Sequence, residues 1–111
     1  MKKAGFSPTF VLIVTALNSS TKSGILQMID ATASSANLNT IWSNQSDGTL
    51  ALINGQSEQN APSGTAGSIH FVLSYKRVYG YGIQICYGAA KLYWRSMTNG
   101  SIGTWTVLAG S

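Results

Sequence analysis

Residues 67–108, GSIHFVLSYKRVYGYGIQICYGAAKLYWRSMTNGSIGTWTVL, constrain the fold of this chain more than any other stretch. Short apolar or alternating runs are separated there by Gly, Asn and Ser. That is the period of strands whose side chains point to opposite faces. All five tyrosines and two of the three tryptophans fall in this segment. Aromatic residues suit a pleated, half-buried surface. The segment therefore reads as a nearly uninterrupted antiparallel sheet, wrapped or covered by the more polar residues before it.

Four strands are expected, over residues 68–75, 82–87, 91–96 and 103–108. In the first, Ile69, Phe71, Leu73 and Tyr75 share a face against His70, Val72 and Ser74, and the Phe71 face is taken as the core side. Ile83, Ile85 and Tyr87 then oppose Gln84 and Cys86, Leu92 and Trp94 oppose Tyr93 and Arg95, and Trp105 shares a face with Val107. Residues 76–82, 88–90 and 97–103 read as turns or loops.

Upstream, residues 9–17 are continuous in apolar character and read as a strand, and residues 24–29 as a second that could form a hairpin with it. The basic start and apolar run also have the outline of a secretory signal, although a structural strand or stem connection is the preferred reading. The run is too short for a transmembrane span, which needs about 20 residues. Residues 31–42 hold either a short helix capped by Ser34 or Ser35, or a loop that drops Leu38 and Ile41 into the core. Asp47 and Gly48 signal a turn. Residues 49–53 form a short strand, and residues 54–67 an exposed loop suited to contact with a partner. The expected fold is all-β or β-dominated: a small antiparallel sheet or sandwich with at most one short helix near residues 34–42. Residues 1–30 make a strand, hairpin or stem connection and residues 31–111 a β-rich domain.

Charged residues are 9% of the chain, against roughly 25% in ordinary globular domains. Ser, Thr, Asn, Gln and Gly must make up the surface instead, which suits close self-association and neutral hydrogen bonding. The net charge of +4 is scattered rather than gathered into the dense basic stripe of a nucleic-acid binder. No nucleic-acid partner is expected. The single cysteine, Cys86, excludes a disulfide framework within one chain and reads as a small buried hydrophobe.

Catalytic chemistry has few candidates. Asp30, Asp47 and Glu58 are the only acids, all in turns or loops, and a paired-carboxylate glycosidase is the one enzymatic alternative they permit. His70 has no metal-binding companion pattern and reads as a satisfied core or interface histidine. A Cys86–His70 nucleophile pair has no supporting context. No cofactor, metal site or enzymatic activity is expected. Recognition groups are better represented. Arg77, Tyr79 and Tyr81 surround one glycine-bearing connection, and tyrosine offers a rigid apolar area with a polar tip, which a sugar ring can use. Asn60 and Asn99 add amides. These five are the candidate receptor or glycan contacts.

Several short pieces, taken in order, carry a resemblance: Leu38-Asn39-Thr40-Ile41, the loop of Asn60, Ala61 and Pro62, the strand of Ile83, Gln84 and Ile85, the strand Leu92-Tyr93-Trp94-Arg95-Ser96, and the closing Gly103-Thr104-Trp105-Thr106-Val107-Leu108. This arrangement resembles the distal knob, the C-terminal receptor-binding domain, of tail fibres from tailed phages and R-type pyocins. The chain departs from that pattern at residues 47–50, which lack the usual aromatic, and at Ile102 and Gly103, where a second tryptophan is often found. The resemblance implies a homotrimeric fibre end in a virion or extracellular contractile particle, contacting a bacterial surface glycan or lipopolysaccharide during host adsorption, without membrane insertion. Ile41, Ile85, Leu92, Trp105 and Leu108 match its structural positions, and with Phe71 they form the expected core. Two alternatives stand beside adhesion: a purely structural trimerisation, spike or baseplate adaptor module, and a glycan-degrading fibre end.

Overall fold

Among the described residues, seven strands make a single mixed sheet, and one short helix lies on its covered face. The computed structural model describes residues 26–108. The expected strand at residues 9–17, its hairpin, the signal reading and nearly all of the 1–30 unit lie outside the described residues. In chain order the elements are β1 (Leu26–Ala31), α1 (Leu38–Asn44), β2 (Thr49–Gly55), β3 (His70–Arg77), β4 (Tyr81–Gly88), β5 (Lys91–Thr98), β6 (Ser101–Ile102) and β7 (Thr106–Val107). Single 3-10 turns occupy Ser63–Thr65 and Val78–Gly80. Spatial order follows sequence order from β1 to β6, and β7 folds back onto β5.

The protein is β-dominated with one short helix, and its sheet is mixed. β2 to β5 pair antiparallel with their neighbours, whereas β1 pairs parallel with β2. A parallel pair needs a crossover rather than a tight turn, and α1 lies on that crossover. Of the expected 24–29 strand, the described residues 26–29 lie in β1, which runs on through residues 30 and 31 in the same sheet as the rest.

Asn37 caps α1, its side-chain oxygen accepting from Asn39 N at 2.9 Å. A cap of this kind is worth about 1 kcal/mol. Ser34 and Ser35 are not the cap, because the helix starts three to four residues after them. Leu38 and Trp42, one turn apart, are buried against the sheet, and the Trp42 indole donates to Tyr75 O at 3.1 Å. Ile41 is half-buried and packs on the same core. Asp47 and Gly48 do turn the chain into β2, with Gly48 at φ +81°.

The loop between β2 and β3 is not simply exposed. Glu58, Pro62 and Thr65 are buried in it, and Gln59 exchanges backbone hydrogen bonds with the entry to α1 (Leu38 N to Gln59 O, 3.0 Å; Gln59 N to Ala36 O, 2.8 Å). The loop thus joins α1 in the layer over the sheet.

Under that layer, three cross-strand rows can be followed through the register. One runs Ile29, Ile53, Val72, Cys86 and Tyr93, and it holds most of the apolar core. The next carries Ala51, Ser74, Gln84 and Arg95. Its polar groups satisfy one another. Arg95 Nε and Nη2 donate to Gln84 Oε1 at 2.9 and 2.7 Å, Gln84 Nε2 donates to Ser74 Oγ at 2.9 Å, and the Ser74 hydroxyl donates to Gln45 Oε1. Such a chain tolerates burial because each member has a partner. The third row brings Gly55, His70 and Gly88 side by side.

The alternation read from sequence is correct, but the face assigned to the core is the wrong one. The covered side carries His70, Val72 and Ser74, while Phe71, Leu73 and Tyr75 point to the uncovered side and are 51%, 43% and 38% exposed. Phe71 and Leu92 are therefore not core residues of the single chain, and Ile85 lies half-buried on the same open face. Leu108, beyond β7, is also exposed. Trp105 does pack against the core. The physical reason for the reversal is that both faces carry apolar side chains, so hydrophobicity alone could not choose; the placement of α1 and the β2–β3 loop does.

One further difference concerns residues 97–103. β5 runs through Thr98, turns at Asn99 and Gly100 with φ +51° and +86°, and returns as β6. Two positive φ values in a two-residue connection are what an Asn-Gly hairpin turn supplies.

Candidate functional site

The open face is built from three further rows. The central one is Met28, Leu52, Leu73, Ile85 and Trp94, apolar from β1 to β5. On one side of it run Leu26, Leu50, Tyr75, Ile83 and Ser96, and on the other Asp30, Asn54, Phe71, Tyr87 and Leu92. Met28 is 68% exposed and Trp94 39%. Tyr75 and Tyr87 also belong to this face. The face that meets solvent is thus more apolar than the covered one, which holds His70, Ser74, Gln84 and Arg95.

At the end of this sheet the β3–β4 connection, Val78–Gly80, stands beside the β5–β6 turn. Gly100 N donates to Gly80 O at 2.9 Å, and a side chain at Gly80 would run into the Gly100 backbone. Arg77, Tyr79, Tyr81 and Asn99 are brought to this end together and all are exposed. Tyr79 is 81% exposed and adopts φ +66°. A bulky residue in that region costs about 1–2 kcal/mol, and none of that cost is offset by a hydrogen bond from its side chain to another described residue.

Asn60, the fifth candidate, belongs elsewhere. Its Nδ2 donates to Asn37 Oδ1 at 2.8 Å, and its carbonyl accepts from the Trp105 indole at 2.7 Å. With Asn39, Arg95, Gly103, Thr104 and Trp105 it lines a cleft of about 280 Å³ beside the α1 start. The guanidinium of Arg95 lies 4.6 Å from the Trp105 ring centroid. Tyr93 and Arg95, which share a strand face in the sequence reading, are both buried within the chain, at 6% and 4% exposure. An arginine beside an exposed tryptophan, Trp94, gives no sign in sequence of being the buried one of the two.

The three carboxylates are dispersed. Asp30 Oδ1 accepts from Thr32 N and Oγ1 at 3.1 and 2.9 Å, and Asp47 is an exposed turn residue. Glu58 Oε2 meets His70 Nε2 at 2.6 Å with both side chains enclosed, and Glu58 Oε1 accepts from Gln56 N. His70 Nδ1 donates to Ser68 O at 2.7 Å. His70 is thus a satisfied core histidine. Burial, reinforced by the Glu58 charge, pushes the Cys86 thiol up to about 12, so it is protonated at neutral pH. Burial also pulls Arg95 down to about 10. Among the described residues, no group of three His, Cys, Asp or Glu side chains is placed to hold a metal ion, and no helix is long and apolar enough to cross a membrane.

Comparison with protein-family models, with curated proteins and with solved structures finds no match.

Proposed function

We propose that this chain is the receptor-binding end of a tail fibre, assembled as a homotrimer through the open sheet face and contacting a bacterial surface glycan or lipopolysaccharide through the exposed tyrosine turn. The observation that carries this reading is the open face itself. A five-strand apolar row left in water is costly, since burial is worth about 25 cal/mol per Å² of apolar area, and large contiguous apolar patches mark interaction surfaces. Covering three such faces with one another removes them from water together. The number three comes from the resemblance to fibre knobs.

The recognition half rests on Arg77, Tyr79, Tyr81 and Asn99, gathered at one end and exposed. A strained, solvent-facing tyrosine is the kind of feature kept for contact rather than for folding. Repetition around a threefold axis multiplies modest single-site affinity through effective concentration. Binding is favoured over glycan cleavage because Glu58 is committed to His70 and none of the three acids lines the cleft.

The test is binding of the labelled chain to whole bacterial cells and to purified lipopolysaccharide, with an Arg77→Ala/Tyr79→Ala variant beside it. The reading expects surface binding that the variant loses without a change in mass. A trimer that binds no cell surface would leave the purely structural module in its place.

A further inference from the structure

The cleft beside α1 contains an unusual cation. Arg95 is 4% exposed, and its hydrogen bonds to described residues go from Nε and Nη2 to one neutral acceptor, Gln84 Oε1. No carboxylate among the described residues forms an ion pair with it; the one buried acid, Glu58, is held by His70. A buried charge without a counter-ion is costly, and the lowered proton affinity of Arg95 has the same cause. On the wall of the same cleft, Asn39 Oδ1 is enclosed and has no hydrogen-bond donor. Buried polar groups are normally paired, so the cleft holds a charge without an anion and an acceptor without a donor.

We infer that this cleft binds an acidic sugar, its carboxylate placed on the free edge of the Arg95 guanidinium and its ring hydroxyls against Asn60 and Thr104. A carboxylate suits the planar, multi-donor edge of an arginine. Asn60 and Thr104 add neutral hydrogen-bonding groups, and Trp105 and Ile102 an apolar edge; sugar rings present this mixture of surfaces. The cleft volume of about 280 Å³ lies just under the range of drug-sized pockets and suits a single ring. The site is separate from the tyrosine turn and its argument does not depend on trimerisation.

The test is titration of the full chain with glucuronate, followed by the indole and side-chain amide signals of Trp105 and Asn39 in nitrogen–proton NMR spectra. Glucose and inorganic phosphate serve as the neutral and hydroxyl-poor anionic comparisons. Arg95 variants risk misfolding, since the guanidinium also holds β4 to β5. The isosteric Asn39→Asp variant is used instead, because it adds a negative charge to the wall of the cleft that Arg95 also lines and so opposes a second anion there. The expected result is saturable, millimolar glucuronate binding that shifts both signals, no response to glucose, weaker binding of phosphate, and at least tenfold weaker glucuronate binding in Asn39→Asp. Absence of glucuronate binding, equal binding by the folded Asn39→Asp variant, or phosphate binding as tight as glucuronate would overturn the inference.

Discussion

Leu73 and Ile85 stand directly opposite each other across β3 and β4, at the centre of the open face rather than beneath the helix. This placement separates assembly from folding. Leu73→Asp puts a charge where a single chain meets water and where an assembled one would be dry. The substitution is expected to leave the far-ultraviolet circular dichroism of the chain unchanged while abolishing self-association. Loss of secondary structure together with association would place Leu73 in the core of the single chain instead.

Tyr79 holds φ +66° at the β3–β4 connection. Glycine takes that conformation without steric cost, so Tyr79→Gly is expected to raise stability by about 1 kcal/mol in urea unfolding, in line with the cost of left-handed backbone. The same change is expected to lower binding to cells. A stability loss would show that the tyrosine ring makes a contact that outweighs its backbone strain.

The Glu58–His70 contact ties the β2–β3 loop to the start of β3. Glu58→Ala leaves His70 Nε2 and the Gln56 amide without their acceptor. Removing one partner of an enclosed pair costs about 3–5 kcal/mol, and chemical unfolding is expected to read a loss of that order. A change below about 1 kcal/mol would mean that solvent reaches the pair.

Cys86 gives a pH dependence of known sign. Its thiol is held up from 9.0 to about 12 by burial and by Glu58. Above pH 9 the unfolded chain gives up this proton and the folded chain keeps it, so the stability present at lower pH falls as pH rises from 9 towards 12. Cys86→Ala is expected to flatten that part of the stability profile, and the native thiol to resist alkylation at pH 8 until the chain unfolds. Rapid alkylation of the folded protein would contradict the burial.

The strands were legible because alternation survives in the sequence from Ser68 to Ser96, and the Asp47–Gly48 turn because its chemistry is local. The face was not legible. Phe71 and Leu73 are more apolar than His70 and Ser74, and a rule that buries the more apolar side fails when both faces of the sheet carry apolar residues. His70 is buried because Glu58 in the β2–β3 loop meets it, and Gln84 and Arg95 because neighbouring strands supply their partners; partners ten or more residues apart leave no local pattern. The Asn99–Gly100 turn is legible by its residue pair, although residues 97–103 as a whole read as one longer loop. Four of the five candidate contacts converge at the end of the sheet because β3–β4 and β5–β6 turn on the same side. Asn60 is held apart by its bonds to Asn37 and Trp105.

The most direct test of the open-face interface is the mass of the intact chain by light scattering across micromolar concentrations. The account predicts a particle of about 35 kDa, three times the 11.7 kDa of one chain. A particle of 11.7 kDa at every concentration would contradict it.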